Sequence, residues 1–138
     1  MLKLRQFKPS DIDHLRPNAI DEFLRDKPDY CKKWAEIYAK GGPAYTDEQI
    51  TFSAGILLGA DQTGLLWAVF SPEIKKRTKT TLRTLKEMLA IVIDKFELKT
   101  LYAESRKGFA VSQRMLEHFG FIKTNEENKT YYYYKLEV

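Results

Sequence analysis

The C-terminal third of the chain constrains the fold more than any other part of the sequence. Its residues predict four elements in order: a strand at 98–103, a helix at 110–119, and strands at 121–125 and 130–138. Gly120 fits the left-handed position just past a helix end, where Phe121 can pack back on the last turn. A sharply ended amphipathic helix between strands predicts an α/β arrangement for this part of the chain.

The middle of the chain predicts a hairpin followed by a long helix. Alternating residues indicate a strand at 50–59, the polar residues 61–64 indicate a turn, and the return strand at 65–70 is apolar on both faces, which predicts a central strand. The helix that follows is expected to begin near Thr80 or Thr81. Its apolar stripe comprises Leu82, Leu85, Leu89, Val92 and Phe96. A strand, a helix and a strand in this order predict a parallel pair of strands.

Residues 1–43 are predicted to be mainly helical after a short first strand at the edge of the sheet. Ser10 and Asp13 have capping-box spacing, Asn18 can begin a further short helix, and Pro28 suits the first position of a helix that ends at Gly41 and Gly42. Residues 44–138 are expected to hold the sheet. We therefore expect residues 1–138 to form one α/β domain, in which helices flank a mixed, mostly antiparallel sheet with one parallel strand pair.

Composition narrows the class of protein. The 138 residues, 43% of them hydrophobic, suit one core, and the formal charge of +4 mildly favours anionic partners. Cys31 is the only cysteine, so an intramolecular disulfide is impossible. His14 and His118 have no metal-ligand spacing, and we expect no metal site. Without a signal sequence or an apolar run of membrane length, the chain is expected to be cytoplasmic and not to bind a membrane.

From residue 50 to the end, the order of elements resembles the GNAT N-acetyltransferase superfamily. The stretch RMLEHFGF, residues 114–121, is similar to the end of the family's last helix, which precedes Gly-Phe. This resemblance implies an acetyl-CoA-dependent transfer of an acetyl group to a primary amine of a protein or small molecule. The degenerate form of the pattern also resembles the small GNAT-like internal virion or assembly proteins of tailed phages, which would place the protein in the host cytoplasm.

The resemblance also implies where acetyl-CoA, or another anionic cofactor, would bind. The central strand would hold the arm of the cofactor through Trp67, Ala68, Val69 and Phe70. The family's pyrophosphate loop corresponds to residues 73–81, which supply the candidates Lys76, Arg77, Thr78, Lys79, Thr80 and Thr81. The family's loop has two positions that hold a small residue, the first a glycine and the second a glycine or alanine. Counted from Arg77, these positions fall on Thr80 and Leu82. A second register, counted from Pro72, places them on Thr78 and Thr80.

The catalytic positions depart from the family pattern. The tyrosine that often protonates the departing thiolate corresponds to Leu116, which has no proton to donate. Glu104 and Ser105, at the end of the predicted strand at 98–103, are the polar residues nearest the expected cleft and become the candidate catalytic residues. Glu104 would accept a proton from the incoming amine through water, a role that requires a raised pKa.

Three functions are compatible with these patterns. The first is the N-acetyltransferase. The second is a catalytically inactive relative that binds another protein in virion assembly or host-factor inhibition, through exposed aromatic residues of the N-terminal helices and nearby, Trp34, Tyr38 and Tyr45. The third, nucleic-acid binding through residues 75–86, is disfavoured because no aromatic residues are interleaved with the basic ones.

Overall fold

A seven-stranded mixed sheet with helices on both faces forms the core of the computed structural model, which describes residues 2–138. The strands are β1 (Leu4–Gln6), β2 (Ala44–Asp47), β3 (Phe52–Leu58), β4 (Thr63–Phe70), β5 (Thr100–Arg106), β6 (Ile122–Glu127) and β7 (Tyr131–Glu137). The α-helices are α1 (Ser10–Leu15), α2 (Pro28–Gly41), α3 (Thr78–Lys95) and α4 (Ala110–His118). Short 3₁₀ helices occupy Arg16–Asn18, Glu22–Leu24 and Pro72–Arg77. Within residues 2–138, no helix combines the length and the apolar character needed to cross a membrane.

The strand order is β1-β2-β3-β4-β5-β7-β6, and every neighbouring pair is antiparallel except β4 and β5. The predicted α/β class with one parallel strand pair is therefore confirmed. β4 is the middle strand, as its two apolar faces predict, and β1 lies at an edge.

The sequence did not predict β2, and the strand predicted from Ile50 begins only at Phe52. The carboxylate of Asp47 explains both differences. It accepts hydrogen bonds from the amides of Thr51 (2.7 Å) and Phe52 (3.0 Å), which closes a tight turn between β2 and β3. Ile50 lies inside this turn with a left-handed φ of 52°. The apparent alternation that begins at residue 50 thus includes turn residues.

The sheet has two hydrophobic layers, one on each face. Trp67 and Val69 of β4 pack with α1 and α2, where Ile12, Leu15 and Ala35 are buried. The alternate residues of β4 pack against the larger layer, to which α3 and α4 contribute. β4 is thus covered on both faces, and residues from both halves of the chain meet around it.

α3 begins at Thr78, two or three residues before the predicted start at Thr80 or Thr81. The 3₁₀ helix Pro72–Arg77 leads directly into Thr78, so the segment expected to be a loop is helical. The buried positions of α3 are Thr81, Thr84, Leu85, Met88, Leu89 and Val92. Leu82 and Phe96, predicted to belong to the buried stripe, are only half-buried.

The predicted capping box at Ser10 and the helix start at Asn18 are wrong. α1 begins at Ser10 itself, so Pro9 occupies the cap position and no side chain caps the helix. The nearby carboxylate of Asp11 binds Arg5 (2.7 Å) and the amide of Lys8 (2.9 Å). The second short helix begins after Asp21, whose carboxylate accepts a hydrogen bond from the amide of Phe23. Acidic side chains define the local turns at both places.

The end of α4 confirms the predicted stop. Gly120 has a left-handed φ of 95°, and its amide donates to the carbonyl of Glu117 at 3.0 Å. The amide of Phe121 donates to the carbonyl of Leu116, also at 3.0 Å. These two bonds form a Schellman motif, which directs the chain from α4 into β6.

Candidate functional site

The central gap in the sheet lies where β4 and β5 separate. Their parallel pairing runs from Thr63 and Thr100 to Leu66 and Ala103. Residues 67–70 of β4 and 104–106 of β5 continue without pairing to each other. The carbonyl of Phe70 faces this gap and accepts a hydrogen bond from the amide of Ile20 at 2.8 Å. Because alternate residues present their backbone groups to the same side of a strand, those of Ala68 also face the gap.

The first cavity lies between this gap and the helices α3 and α4. Its volume is about 320 Å³. β4 contributes Trp67, Ala68 and Phe70 to its walls, and α4 contributes Ser112 and Leu116. Most of the remaining wall is apolar. An amide-rich chain could therefore lie along the free edge of β4 with its polar groups directed at Ala68.

The N-terminus of α3 forms one end of the first cavity. Thr78, Thr81 and Leu82 line it, since residues three and four apart share one face of a helix. Thr81 is 1% exposed, and its hydroxyl has no hydrogen-bond partner within residues 2–138. No side chain caps α3 at Arg77. A buried hydroxyl without a partner beside a helix N-terminus favours a polar or anionic ligand at this end.

The predicted basic residues lie elsewhere. The guanidinium of Arg77 lies 3.6 Å from the buried carboxylate of Asp47 and donates to the hydroxyl of Thr51 at 3.2 Å. Lys76 and Lys79 are exposed, and neither lines the first cavity. Thr80 is half-buried and also lies outside the cavity lining. Of the six residues predicted for the cofactor loop, only Thr78 and Thr81 reach the cavity.

A second cavity, of about 160 Å³, opens on the opposite side of the gap. Aromatic residues of α2 form much of its wall, and Trp34, Tyr38 and Trp67 pack with ring centroids 5.1–5.6 Å apart. Tyr30 and Tyr131 complete this wall. A smaller adjoining cavity of about 100 Å³ shares Tyr131 and Val69 with it. The sequence did not single out Tyr30, because its exposed position on α2 gives no pattern that marks a site.

Glu104 and Ser105 point to opposite faces of β5. Glu104 lines both cavities beside the gap, whereas Ser105 lines neither. Ser105 is 1% exposed, on the same face as the core residue Ala103. Its hydroxyl has no partner among the described residues. The structure thus brings Glu104 to the junction of the two cavities and buries Ser105 on the opposite face of β5.

The hydroxyl groups near Glu104 come from α2 and α4. Burial, with a smaller contribution from the negative charge of Glu104, raises the pKa of Tyr38, so its phenol stays protonated at neutral pH. Ser112 lines the first cavity and the small adjoining one. It lies one turn before Leu116 on the same face of α4. Leu116 is 2% exposed, so the cleft face of α4 presents a serine hydroxyl and no phenol.

Solved acetyltransferases share this fold. An acetyltransferase from Streptococcus agalactiae aligns with a TM-score of 0.76 at 13% identity, over 99% of this chain and 98% of that one. A Bacillus subtilis acetyltransferase solved in complex with CoA aligns with a TM-score of 0.72 at 13% identity, over 99% and 97%. A GNAT-family acetyltransferase from Bacillus anthracis aligns with a TM-score of 0.69 at 12% identity, over 99% and 96%. The chain therefore has the GNAT fold.

Sequence comparison adds nothing to the structural likeness. No protein-family model matches the chain, and no curated protein matches it in sequence. At identities of 12–13%, the aligned structures show the fold alone.

Proposed function

We propose that the protein is an acetyl-CoA-dependent N-acetyltransferase that acts on a primary amine of a protein or small molecule. The gap between β4 and β5, with a cavity on each side and Glu104 at their junction, is the observation that carries this proposal. Two reactants that enter from opposite sides of a sheet can meet only at such a gap. Holding both there makes the transfer effectively unimolecular.

The first cavity fits acetyl-CoA. Ala68 on the free edge of β4 offers backbone groups to an amide-rich arm, and the hydroxyl of Thr81 has no partner of its own. Thr78 and the uncapped start of α3 favour a phosphate at the same end. When bound, acetyl-CoA supplies an acetyl group activated as a thioester.

The departures from the family pattern mostly affect the start of α3, where the phosphates of acetyl-CoA would bind. Arg77 neutralises Asp47, so it is committed to the protein itself. Lys76 and Lys79 carry charges without an ion-pair partner among the described residues, and they would act on the phosphates at longer range. We infer that the affinity depends mainly on the helix N-terminus and the strand edge.

Glu104 would receive the proton of the acceptor amine, directly or through one water. It lines both cavities and is exposed, so water reaches it from the acceptor side. The hydroxyl of Ser112 is the polar group of α4 that faces both sides of the gap. It would donate a hydrogen bond on the side where the family pattern has a tyrosine and this chain has Leu116.

An acetyl-transfer assay tests the proposal. The protein is incubated with acetyl-CoA and a panel of primary amines, and released thiol and acetylated product are measured together. Glu104→Gln should lower kcat/KM by about 100-fold or more, the usual contribution of a general base, without weakening acetyl-CoA binding. Glu87→Gln, on the exposed side of α3, is the matched control and should not change the rate. Equal rates for Glu104→Gln and the wild type would remove Glu104 from the reaction.

The second candidate is a catalytically inactive protein with the same fold, of the phage-assembly type that the sequence resemblance suggests. The commitment of Arg77 to Asp47 and the presence of Leu116 favour it. The contact surface predicted for it needs correction, because Trp34 and Tyr38 are half-buried against Trp67 and Tyr45 packs on the larger core. Absence of acetyl-CoA binding would favour this candidate. The phage relationship and a cytoplasmic location stay predictions from the sequence.

A further inference from the structure

We propose that the acceptor is a linear amine that carries a second positive charge, such as an aliphatic diamine or triamine. This inference rests on the proposed transferase function and names its substrate class. It follows from the aromatic wall of the second cavity, the unpaired carboxylate of Glu104 and a groove that extends from Glu104 over the sheet.

The aromatic wall suits an organic cation. Trp34, Tyr38 and Trp67 pack against one another, with Tyr30 and Tyr131 beside them. The faces of such rings attract ammonium groups and also accommodate methylene chains. A chain with cations separated by methylenes uses both properties.

A cation of the protein lies next to this wall, because Arg106 lines the smaller adjoining cavity together with Tyr131. The guanidinium of Arg106 lies 3.8 Å from the ring centroid of Phe23 and 5.2 Å from that of Tyr131. It also forms an ion pair with Asp21 at 3.4 Å. Tyr131 is therefore already in contact with a positive charge, and the charges of Arg106 and Asp21 offset each other.

Glu104 supplies the net negative charge of the second cavity, where the acceptor amine would bind. It has no ion-pair partner within residues 2–138, and its carboxylate lies in the lining shared by both cavities. Such a charge attracts a cationic acceptor and repels an acceptor that carries a carboxylate or phosphate.

A groove extends the acceptor side beyond Glu104. Its lining residues come from β4, β5, β6 and β7, and it shares Leu65 and Glu104 with the second cavity. Tyr102 and Tyr133 line it, and Glu126 lies along it without an ion-pair partner among the described residues. The one cation in this lining, Lys135, is paired with Glu137 at 2.8 Å. Two carboxylates joined by tyrosines match a linear molecule with separated positive charges.

Equilibrium binding without acetyl-CoA tests the inference. The two tryptophans of the chain, Trp34 and Trp67, both line the second cavity, so their fluorescence reports occupancy. The probes are 1,4-diaminobutane, spermidine, butylamine, glucosamine and glutamate at equal ionic strength. We expect the diamine to bind at least about tenfold more tightly than butylamine, since a desolvated cation over aromatic rings contributes enough for that factor. Spermidine should bind more tightly still.

Three variants locate the effect. Glu104→Gln should lower the preference for the diamine over butylamine to the part that the aromatic rings contribute. Glu126→Gln should remove only the additional affinity of spermidine. Glu36→Gln, on the exposed side of α2, is the control and should change neither.

The two proposals fail separately. Calorimetry with acetyl-CoA on the same sample tests the transferase function without any amine, so a protein that binds acetyl-CoA but prefers butylamine, glucosamine or glutamate overturns the substrate class alone. A diamine preference unchanged in Glu104→Gln also overturns it. Conversely, selective binding of the diamine without binding of acetyl-CoA would support the cation site and exclude the proposed transferase function.

Discussion

Replacing Thr81 by valine should stabilise the free protein and weaken its affinity for acetyl-CoA. The hydroxyl of Thr81 is buried without a partner at the start of α3, where it lines the first cavity. Valine has nearly the same shape and a similar helix propensity, so the main change is the removal of an unsatisfied polar group. Such a group costs about 1–3 kcal/mol when buried, and we expect a gain of about 1–2 kcal/mol in the free energy of unfolding.

The expected gain converts to a change in melting temperature. With an unfolding entropy of about 2.1 cal/mol/K per residue, 138 residues give about 0.3 kcal/mol/K, so Tm should rise by about 3–7 °C. Thermal unfolding is measured with and without acetyl-CoA at millimolar concentration. The shift that acetyl-CoA induces should be smaller in Thr81→Val than in the wild type, because the variant lacks the hydroxyl that the ligand would use.

Thr84 provides a matched control one turn along the same helix. Its hydroxyl donates to the carbonyl of Thr80 at 2.8 Å and accepts from the amide of Leu2 at 3.3 Å. Thr84→Val removes satisfied hydrogen bonds and should lower Tm by about 3 °C, for a loss of about 1 kcal/mol. A fall in Tm for both variants would contradict this prediction, since it would mean that the hydroxyl of Thr81 is satisfied in the free protein.

Three further perturbations test other parts of the structure. Burial alone would raise the pKa of Asp11, but hydrogen bonds led by the one from Arg5 outweigh it and lower that pKa. The stabilisation is therefore fully present above the unfolded value of 3.8 and is lost as pH falls below it through the lower pKa of the folded state. Asp11→Asn should therefore flatten the acid side of a urea-unfolding series, and an unchanged pH profile would contradict this. Gly120→Ala should cost about 1–2 kcal/mol in the same assay because of its left-handed φ, and an unchanged midpoint would rule out that strain. Arg77→Gln should cost about 1 kcal/mol or more by leaving Asp47 unpaired, yet keep the Kd of acetyl-CoA within about twofold; a tenfold weaker Kd would show that Arg77 binds the cofactor.

The sequence predicted the parts of the fold that depend on local pattern. The two apolar faces of β4 marked the central strand, and the helix between β4 and β5 predicted their parallel pairing. Gly120 and Phe121 predicted the end of α4 because that stop requires a residue that tolerates positive φ. In each case the determining residues are neighbours in the chain.

The parts that were missed depend on side-chain contacts that the pattern of apolar residues does not reveal. β2 is short, and its turn is closed by the carboxylate of Asp47, which no alternation of apolar residues reveals. The same carboxylate holds Arg77, so a residue with an apparently free charge is already paired. A pairing across thirty residues has no local signature, and a basic run therefore overstates the charge available to a ligand.

The candidate site was predicted in part for the same reason. Ala68 and Glu104 were predicted from the resemblance to the family, and the structure places both beside the gap between β4 and β5, where their roles stay predictions. Tyr30 and Ser112 were missed because their contribution depends on how α2 and α4 pack against the sheet. Ser105 was placed beside Glu104 although alternation along β5 puts the two side chains on opposite faces.

Titration calorimetry with acetyl-CoA measures whether the first cavity and the start of α3 hold this ligand. We predict saturable binding of one acetyl-CoA per chain, weakened in Thr81→Val and retained in Glu104→Gln. If millimolar acetyl-CoA produces no heat and no thermal shift, this cavity does not hold the ligand, and the proposed transferase function is contradicted.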